Sequence, residues 1–449
     1  MSGTSGTARR AAIVGSGPAG FYAADSLLKA GLTVDLYERL PAPFGLVRYG
    51  VAPDHQTIKR VTAAFERTAK LPGFRLRAHV EVGRDLALEE LRRAYHAVVL
   101  AYGASSDRRL GVPGEDLRGS HAATAFVAWY NGHPEHAGDH YDLDSERAVV
   151  VGVGNVALDV ARVLVRPAVE LAGTDISEAA LAALRESRIR EVVLLGRRGP
   201  SEAAFDQGEL ADIVALPGVE VVVEGAVNFD VPDGAEPAVR KNVEYLATLP
   251  RVPSATAERR IRLRFLASPV ELLAAGERVR ALIYEENELV HSEGRSSARG
   301  TGRKHELVTG LVVRSIGYQG LPLPGAPFDA KRGIVPNVLG RVLTSDATPV
   351  PGLYVTGWIR RGPTGLIGTN KACAKETVEQ VLADLELLPA PTHEPAALDA
   401  LLAERGVRVI DYAGWRAIDA EETTRGQAHG KVRDKFTRVE DMLAAAAKV

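Results

Sequence analysis

Two glycine runs and two contrasting strand ends carry the chemistry of this sequence. The first run, GSGPAG, sets Gly15, Gly17 and Gly20 in GxGxxG spacing directly after the apolar stretch AAIV. The second, GVGNVA, sets Gly152 and Gly154 in the same spacing, with Ala157 at the third position. Glycines at these steps permit a tight turn, let backbone approach a pyrophosphate and let a helix pack closely on a strand. The helix that follows adds amide hydrogens and the positive end of its dipole. The next strand after the first run ends in Glu38, within VDLYER, where a dinucleotide fold places an acid that accepts from ribose hydroxyls. The next strand after the second, VVLLGRRGP, ends instead in Arg197 and Arg198. A carboxylate there would repel a 2′-phosphate, whereas a guanidinium holds one through paired hydrogen bonds. The first cradle is therefore expected to take a dinucleotide with a free 2′-hydroxyl, and the second NADP.

The elements that must position these residues follow from the apolar pattern. Strands are expected at Ala11 to Val14, Thr33 to Tyr37 and Ala148 to Val151, with a helix from Phe21 to Lys29 and a helical insertion from Pro167 to Arg188. A third glycine-rich turn lies in PGLYVTGWIRRGPTGLIGTNKACAKETVEQVL, between a strand at Leu353 to Thr356 and a long helix from about Gly368. One site for a 2′-hydroxyl dinucleotide beside one for NADP reads as a flavoprotein with FAD in the first. The third helix N-terminus is then expected to stabilise negative charge on the reduced flavin through its amides. HAVVLAYGA (96–104) and LVVRSIGYQ (311–319) are similar and mark crossings between domains. The expected fold is α/β, with two Rossmann-like dinucleotide-binding domains and the NADP domain (105–318) inserted into the FAD domain (1–104 and 319–449, the latter including the C-terminal tail).

Composition excludes several classes. With 46% hydrophobic and 25% charged residues over 449 positions, the chain has an ordinary globular balance, and its formal net charge of −2 gives no global pull towards nucleic acid. The single cysteine, Cys373, allows no intrachain disulfide, no CxxC redox pair and no cysteine-ligated cluster, and is expected to be packed and unreactive. His133, His136 and His140 lack metal-site spacing, so no metal is expected. The polar stretch 291–306 reads as a mobile surface hairpin or loop. MSGTSGTARR has no apolar run, and no stretch is long enough to cross a bilayer, so a cytoplasmic protein without membrane insertion is expected.

At this resolution of motif the chain resembles the adrenodoxin-reductase-like ferredoxin–NADP reductases along nearly its whole length. The resemblance rests on GSGPAGFYAA, YERLPAPFGLVRYGVAPDH, FVAWYNGHPE, GNVALDVARVL, GRRGP, IVPNVLGRV and GWIRRGPTGLIGTNK. It implies FAD contacts at Ala19, Glu38, Leu46, Val82, Trp358 and the run Gly365, Leu366, Ile367. It implies NADP(H) contacts at Gly154, Asn155, Val156, Ala157, Arg197, Arg198, Glu209 and Gly365. It further implies hydride transfer from NADPH to FAD, then single-electron delivery to a ferredoxin-type iron–sulfur protein, with His55 of VAPDH approaching the acid aligned at Asp212. Asp212 stands where relatives carry Glu, and Gly208 and Ala211 where they often carry a larger residue and an arginine. A monomer is expected, docking a small acidic ferredoxin through basic residues such as Arg360, Arg361 and Lys371. The absence of CxxC argues against a disulfide reductase, and the absence of an N-terminal cysteine cluster against a glutamate-synthase-type reductase subunit.

Overall fold

Apolar strands alternating with helical stretches build two parallel sheets. The structure is a computed structural model that describes residues 9–225, 227–292 and 295–448. The chain divides into two units: an outer one made of the chain up to Val51, His55–Ser106 and Tyr318 onward, and an inner one made of Ala52–Asp54 and Asp107–Gly317.

In the outer unit a seven-stranded sheet runs in the order Asn337–Val338, Arg341–Leu343, Pro349–Val355, Ala97–Leu100, Arg10–Val14, Thr33–Glu38, Phe74–Ala78. From Pro349–Val355 to Phe74–Ala78 the pairing is parallel, and the two strands at the other edge are antiparallel. Ala97–Leu100 is buried at every residue, which is why its sequence, AVVL, shows no polar alternation. The helix Pro18–Lys29 begins three residues earlier than the apolar pattern suggests, because Pro18 fits the first helical turn, where its missing amide hydrogen has no partner to lose. The C-terminal helices Tyr412–Ala428 and Val439–Ala446 bring Trp415, Ile418 and Met442 into the same core as Phe21, Phe44 and Phe65.

The inner unit holds an all-parallel six-stranded sheet in the order Ser120–Ala122, Leu311–Arg314, Arg147–Val151, Glu191–Leu195, Arg259–Arg264, Val219–Glu224. The insertion after the second glycine run contains the helices Ala168–Leu171 and Glu178–Arg185, the latter capped by the Ser177 hydroxyl accepting from the Ala180 amide at 3.2 Å. A separate antiparallel sheet joins Ala267–Ala275, Arg278–Ser292 and Arg295–Val308. Of the two readings for 291–306, the hairpin is the one found: Arg295–Val308 pairs with Arg278–Ser292, and residues 293 and 294 lie outside the described residues. Among the described residues no helix is long and apolar enough to cross a membrane.

Candidate functional site

The first cradle is built by close contacts that only glycine permits. A Cβ on Gly15, which has φ 110°, would lie 2.6 Å from the Ala101 carbonyl oxygen, and one on Gly20 would lie 2.0 Å from the Gly15 carbonyl oxygen. Gly17 is different, because a Cβ there would meet nothing within 4 Å and so faces open space. It forms the extended N-cap of Pro18–Lys29, and no side chain caps that helix. The leading amides are therefore left for an outside acceptor. At the neighbouring strand end, Glu38 Oε2 accepts from the Ser16 hydroxyl at 2.5 Å and the Ser16 amide at 3.1 Å, while Oε1 accepts from the Leu40 amide at 3.1 Å. The Glu38 carbonyl accepts from the Val80 amide at 2.9 Å, which brings the run carrying buried Val82 to the same strand end.

The third glycine-rich turn is placed against this cradle by Gly357, where a Cβ would lie 2.6 Å from the Ala19 Cβ. The short helix Trp358–Arg361 starts there, and Trp358 carries a buried indole nitrogen without a hydrogen-bond partner among the described residues. Arg361 Nε and Nη1 are likewise buried without partners, while its Nη2 donates to the Thr364 carbonyl and Asn370 Oδ1, both at 3.1 Å. The long helix Thr369–Asp384 starts as the pattern indicates, but its first amides are already used: Thr369, Asn370 and Lys371 donate to the carbonyls of Leu366, Ile367 and Gly368. Among the described residues the amides of Gly365, Leu366, Ile367 and Gly368 donate to no carbonyl, so the open donors sit one turn before the helix. Gly365 has φ 80° and a Cβ there would lie 2.6 Å from Thr369 Oγ1; Leu366 is 62% exposed and Leu46 37% exposed. An open glycine edge, an anchored acid, orphaned donors and exposed apolar side chains together fit FAD.

In the second cradle a Cβ on Gly152 would lie 2.1 Å from the Ser315 carbonyl oxygen, whereas Gly154 again faces open space. Gly154 is the extended N-cap of Asn155–Val165, and that helix also has no side-chain cap. Val156 and Ala157 follow in its first turn, and the Ala157 methyl is fully buried, so this position accommodates a methyl where the first cradle requires glycine. Glu191–Leu195 lies beside Arg147–Val151 in parallel, as the sequence pattern requires. Past its end the Arg198 carbonyl accepts from the Leu266 amide at 3.0 Å and the Arg197 carbonyl accepts from Asn287 Nδ2 at 2.8 Å. The backbone is thus clamped while neither guanidinium makes a hydrogen bond or ion pair among the described residues, a state that fits a phosphate-reading pair for NADP.

Asn155 extends the cradle sideways. Its Oδ1 accepts from the Asp206 amide at 2.7 Å, fixing the start of the helix Gln207–Val214. That helix carries Glu209 and, one turn on, exposed Asp212. Glu209 Oε2 lies 3.6 Å from Nη1 of Arg162, a guanidinium only 2% exposed that also takes Asp54 at 2.8 and 3.1 Å and Asp159 at 2.7 Å. Arg162 is not among the expected contacts; the signal for it in the sequence is an arginine inside the otherwise apolar run ARVLV. In the outer unit, His55 is the N-cap of the short helix Gln56–Lys59, its carbonyl accepting from the Ile58 amide and its side chain making no cap.

One surface expectation changes. Arg360 is not free for docking: its guanidinium is taken by Asn337, Glu376, Thr377 and the Cys373 carbonyl, and its side chain is 12% exposed. With Arg361 partly held as well, Lys371 is the exposed member of the three. Cys373 is buried, its sulfur accepting from the Gly357 amide at 3.2 Å. Burial would raise its pKa, but the Thr356 and Gly357 hydrogen bonds and nearby Arg360 bring it below the ordinary thiol value.

The family model for pyridine nucleotide-disulphide oxidoreductases matches residues 9–195. The chain is 48% identical over 447 residues to a probable ferredoxin/ferredoxin–NADP reductase of Mycobacterium tuberculosis, covering 97% of this chain and 75% of that protein. It is 45% identical over 449 residues to the mitochondrial NADPH:adrenodoxin oxidoreductase of Homo sapiens, covering 96% of this chain and 90% of the relative. The solved structure of Mycobacterium tuberculosis FprA in complex with NADPH superposes with a TM-score of 0.93 at 43% identity, over 98% of this chain and all of that one. The two doubly wound sheets and their glycine cradles define a two-dinucleotide oxidoreductase. The chain belongs to the adrenodoxin-reductase-like ferredoxin–NADP reductases, a family of FAD-containing enzymes that use NADP(H).

Proposed function

We propose that this chain works as an FAD-dependent NADPH:ferredoxin oxidoreductase, with FAD held by the outer unit and NADP(H) by the inner one, in domains at 1–104 with 319–449 and at 105–318. The observation that carries this assignment is the opposite charge at equivalent strand ends, Glu38 after one cradle and Arg197–Arg198 after the other. FAD supplies a centre that accepts a hydride and passes its electrons on singly. The chain's own part is placement and electrostatics. Gly15, Gly17, Ala19 and Gly20 open the first helix to the pyrophosphate, Glu38 accepts from the ribose, and Leu46, Val82, Trp358 and the run Gly365, Leu366, Ile367 bound the ring system. Gly154, Asn155, Val156 and Ala157 seat the second pyrophosphate, the two arginines hold the 2′-phosphate, and Glu209 and Gly365 are each further NADP(H) contacts. His55 and Asp212 are the polar groups assigned to proton handling beside the ring.

The acceptor is a small acidic ferredoxin, and the enzyme acts as a cytoplasmic monomer. Exposed basic side chains such as Lys371 support charge-guided docking, which weakens as salt screens charges beyond about 8 Å. Stopped-flow reduction by NADPH, followed by electron transfer to a panel of ferredoxins at increasing ionic strength, tests the reading. Rapid flavin bleaching and a ferredoxin rate that falls with salt are expected. Absence of bleaching overturns the function, and a rate indifferent to salt overturns the acidic partner.

A further inference from the structure

Inside the outer unit lies an ion pair between residues 374 positions apart in the chain. Arg48 Nη1 donates to Glu422 Oε2 at 2.9 Å and Nη2 to Oε1 at 2.5 Å, with side chains 5% and 0% exposed. Taking two charges out of water is compensated only when geometry is good and the remaining lone pairs are used. Here Glu422 Oε1 also accepts from the Phe436 amide at 2.9 Å, and Oε2 from Arg433 Nη1 at 3.0 Å. The Arg48 carbonyl accepts from Lys435 Nζ at 3.2 Å, and its guanidinium lies 5.3 Å from the Trp415 ring centroid. The C-terminal segment thus grips Arg48 at both backbone and head group. The helix that carries it, Leu46–Tyr49, is a single turn with little stability of its own.

The turn into that helix is strained and abuts the first cradle. Phe44 has φ 86°, a region costly for any side chain, and Gly45 has φ 50°. The Phe44 amide donates to the Ser16 carbonyl at 3.1 Å, and a Cβ on Gly45 would stand 3.0 Å from the Gly17 Cα. Leu46 follows immediately. Strain of this kind persists only where the surroundings over-determine it, and the buried pair two residues on from Leu46 is such a restraint.

We propose that Glu422 is a positioning residue for FAD: by holding Arg48 it fixes the Phe44–Leu46 turn against the first glycine cradle and sets Leu46 against the cofactor. The proposal rests on the reading of Leu46 as an FAD contact. It makes the helix Tyr412–Ala428 part of the binding site's mechanics, although Glu422 itself is fully buried.

The test compares FAD dissociation constants, visible flavin spectra and melting temperatures of the full-length protein. Glu422→Gln is expected to raise the FAD dissociation constant at least tenfold and to move the flavin absorption bands towards those of free FAD, with the KM for NADPH within twofold of its original value. Arg48→Lys keeps the charge but cannot span both carboxylate oxygens, so a smaller loss of the same kind is expected; it also serves if Glu422→Gln does not fold. Met442→Ala, which hollows the core under the last helix, is expected to lower the melting temperature while leaving FAD affinity and spectrum unchanged. Leu46→Ala reports on the underlying reading. If Leu46→Ala weakens FAD binding but Glu422→Gln and Arg48→Lys only lower the melting temperature, as Met442→Ala does, the positioning role is overturned and the Leu46 contact stands. If Leu46→Ala leaves FAD binding unchanged, the contact falls and the proposal with it.

Discussion

Ser16 and Glu38 are joined twice, the hydroxyl of Ser16 and its amide both donating to the same carboxylate oxygen. The acid at the strand end is thus tied to the middle of the glycine turn, so ribose acceptor and phosphate cradle form one rigid piece. A hydrogen bond to a charged group contributes roughly 1.5–3 kcal/mol. Glu38→Gln is therefore expected to weaken FAD binding by tenfold to hundredfold, as roughly 1.4 kcal/mol corresponds to a factor of ten. Ser16→Ala should cost less, since the amide bond to Oε2 survives. Flavin fluorescence during titration of the apoprotein measures both; unchanged affinity in Glu38→Gln would remove the acid from the ribose.

The third cradle positions answer differently to exchange. Gly20→Ala forces a methyl to within 2.0 Å of the Gly15 carbonyl oxygen, a backbone atom that cannot swing aside, with Leu36 Cδ1 3.4 Å away. That variant is expected to be purified largely without flavin. The reverse change, Ala157→Gly, removes a buried methyl from a helix and is expected to lower stability by about 1 kcal/mol while the KM for NADPH changes by only a few fold. The flavin-to-protein absorbance ratio and NADPH kinetics check the pair.

Because the Arg197 and Arg198 guanidiniums have no partner among the described residues, their replacement should leave the fold intact. The double change to alanine is expected to raise the KM for NADPH about a hundredfold or more, from two charge-assisted contacts of roughly 1.5–3 kcal/mol each. NADH, which lacks the 2′-phosphate, should change little, and the maximal rate of flavin reduction should stay close to its starting value. Equal losses with both coenzymes would show that the arginines support structure and do not read the phosphate.

Acid should destabilise the protein in two stages. Burial pulls the His121 pKa below its usual 6.5, aided by the Arg314 charge. The unfolded chain therefore binds this proton more readily, and stability is lost as pH falls from about 6.5 towards the depressed value. Burial pushes Glu422 up, but the charge and hydrogen bonds of Arg48, with Arg433 and the Phe436 amide, outweigh it and hold the carboxyl below its usual 4.5. Glu191 is held down likewise against burial by Arg147 and Arg262. Their stability is present above about pH 4.5 and is lost as pH drops through the lower folded values. Burial, with Arg9 and Arg10 beside it, holds His96 below 6.5 as well, so melting temperatures from pH 8 to 3 should show a shallow fall, then a steep one, with the first reduced in His121→Phe.

What the sequence made legible is what depends on neighbours in the chain. The glycine spacings, Glu38, the arginine pair and the strands beside them follow from runs of a few residues, and the structure places each where local pattern puts it. What stayed hidden depends on partners distant in sequence. Nothing near Arg360 announces that Asn337 and Glu376 occupy it, and Arg48 meets Glu422 only after the whole inner unit has been traversed. The turn before Thr369 is visibly glycine-rich, yet which amides remain open there is decided by bonds that the letters do not display.

The order of strands in the outer sheet has a consequence for synthesis. Ala97–Leu100 pairs on one side with Arg10–Val14, made moments earlier, and on the other with Pro349–Val355, with Val98 opposite Leu353. Between the two lies the inner unit, whose main body, Asp107–Gly317, is continuous in the chain and emerges entire before the partner strand. The inner unit is thus free to fold first, while a wholly apolar strand of its neighbour waits with an open edge. Long-range closure of this kind is slow, and a bare apolar edge invites association between nascent chains. Ribosome-bound chains halted before Pro349 should accordingly hold NADP(H) but not FAD, and should be the ones that molecular chaperones capture.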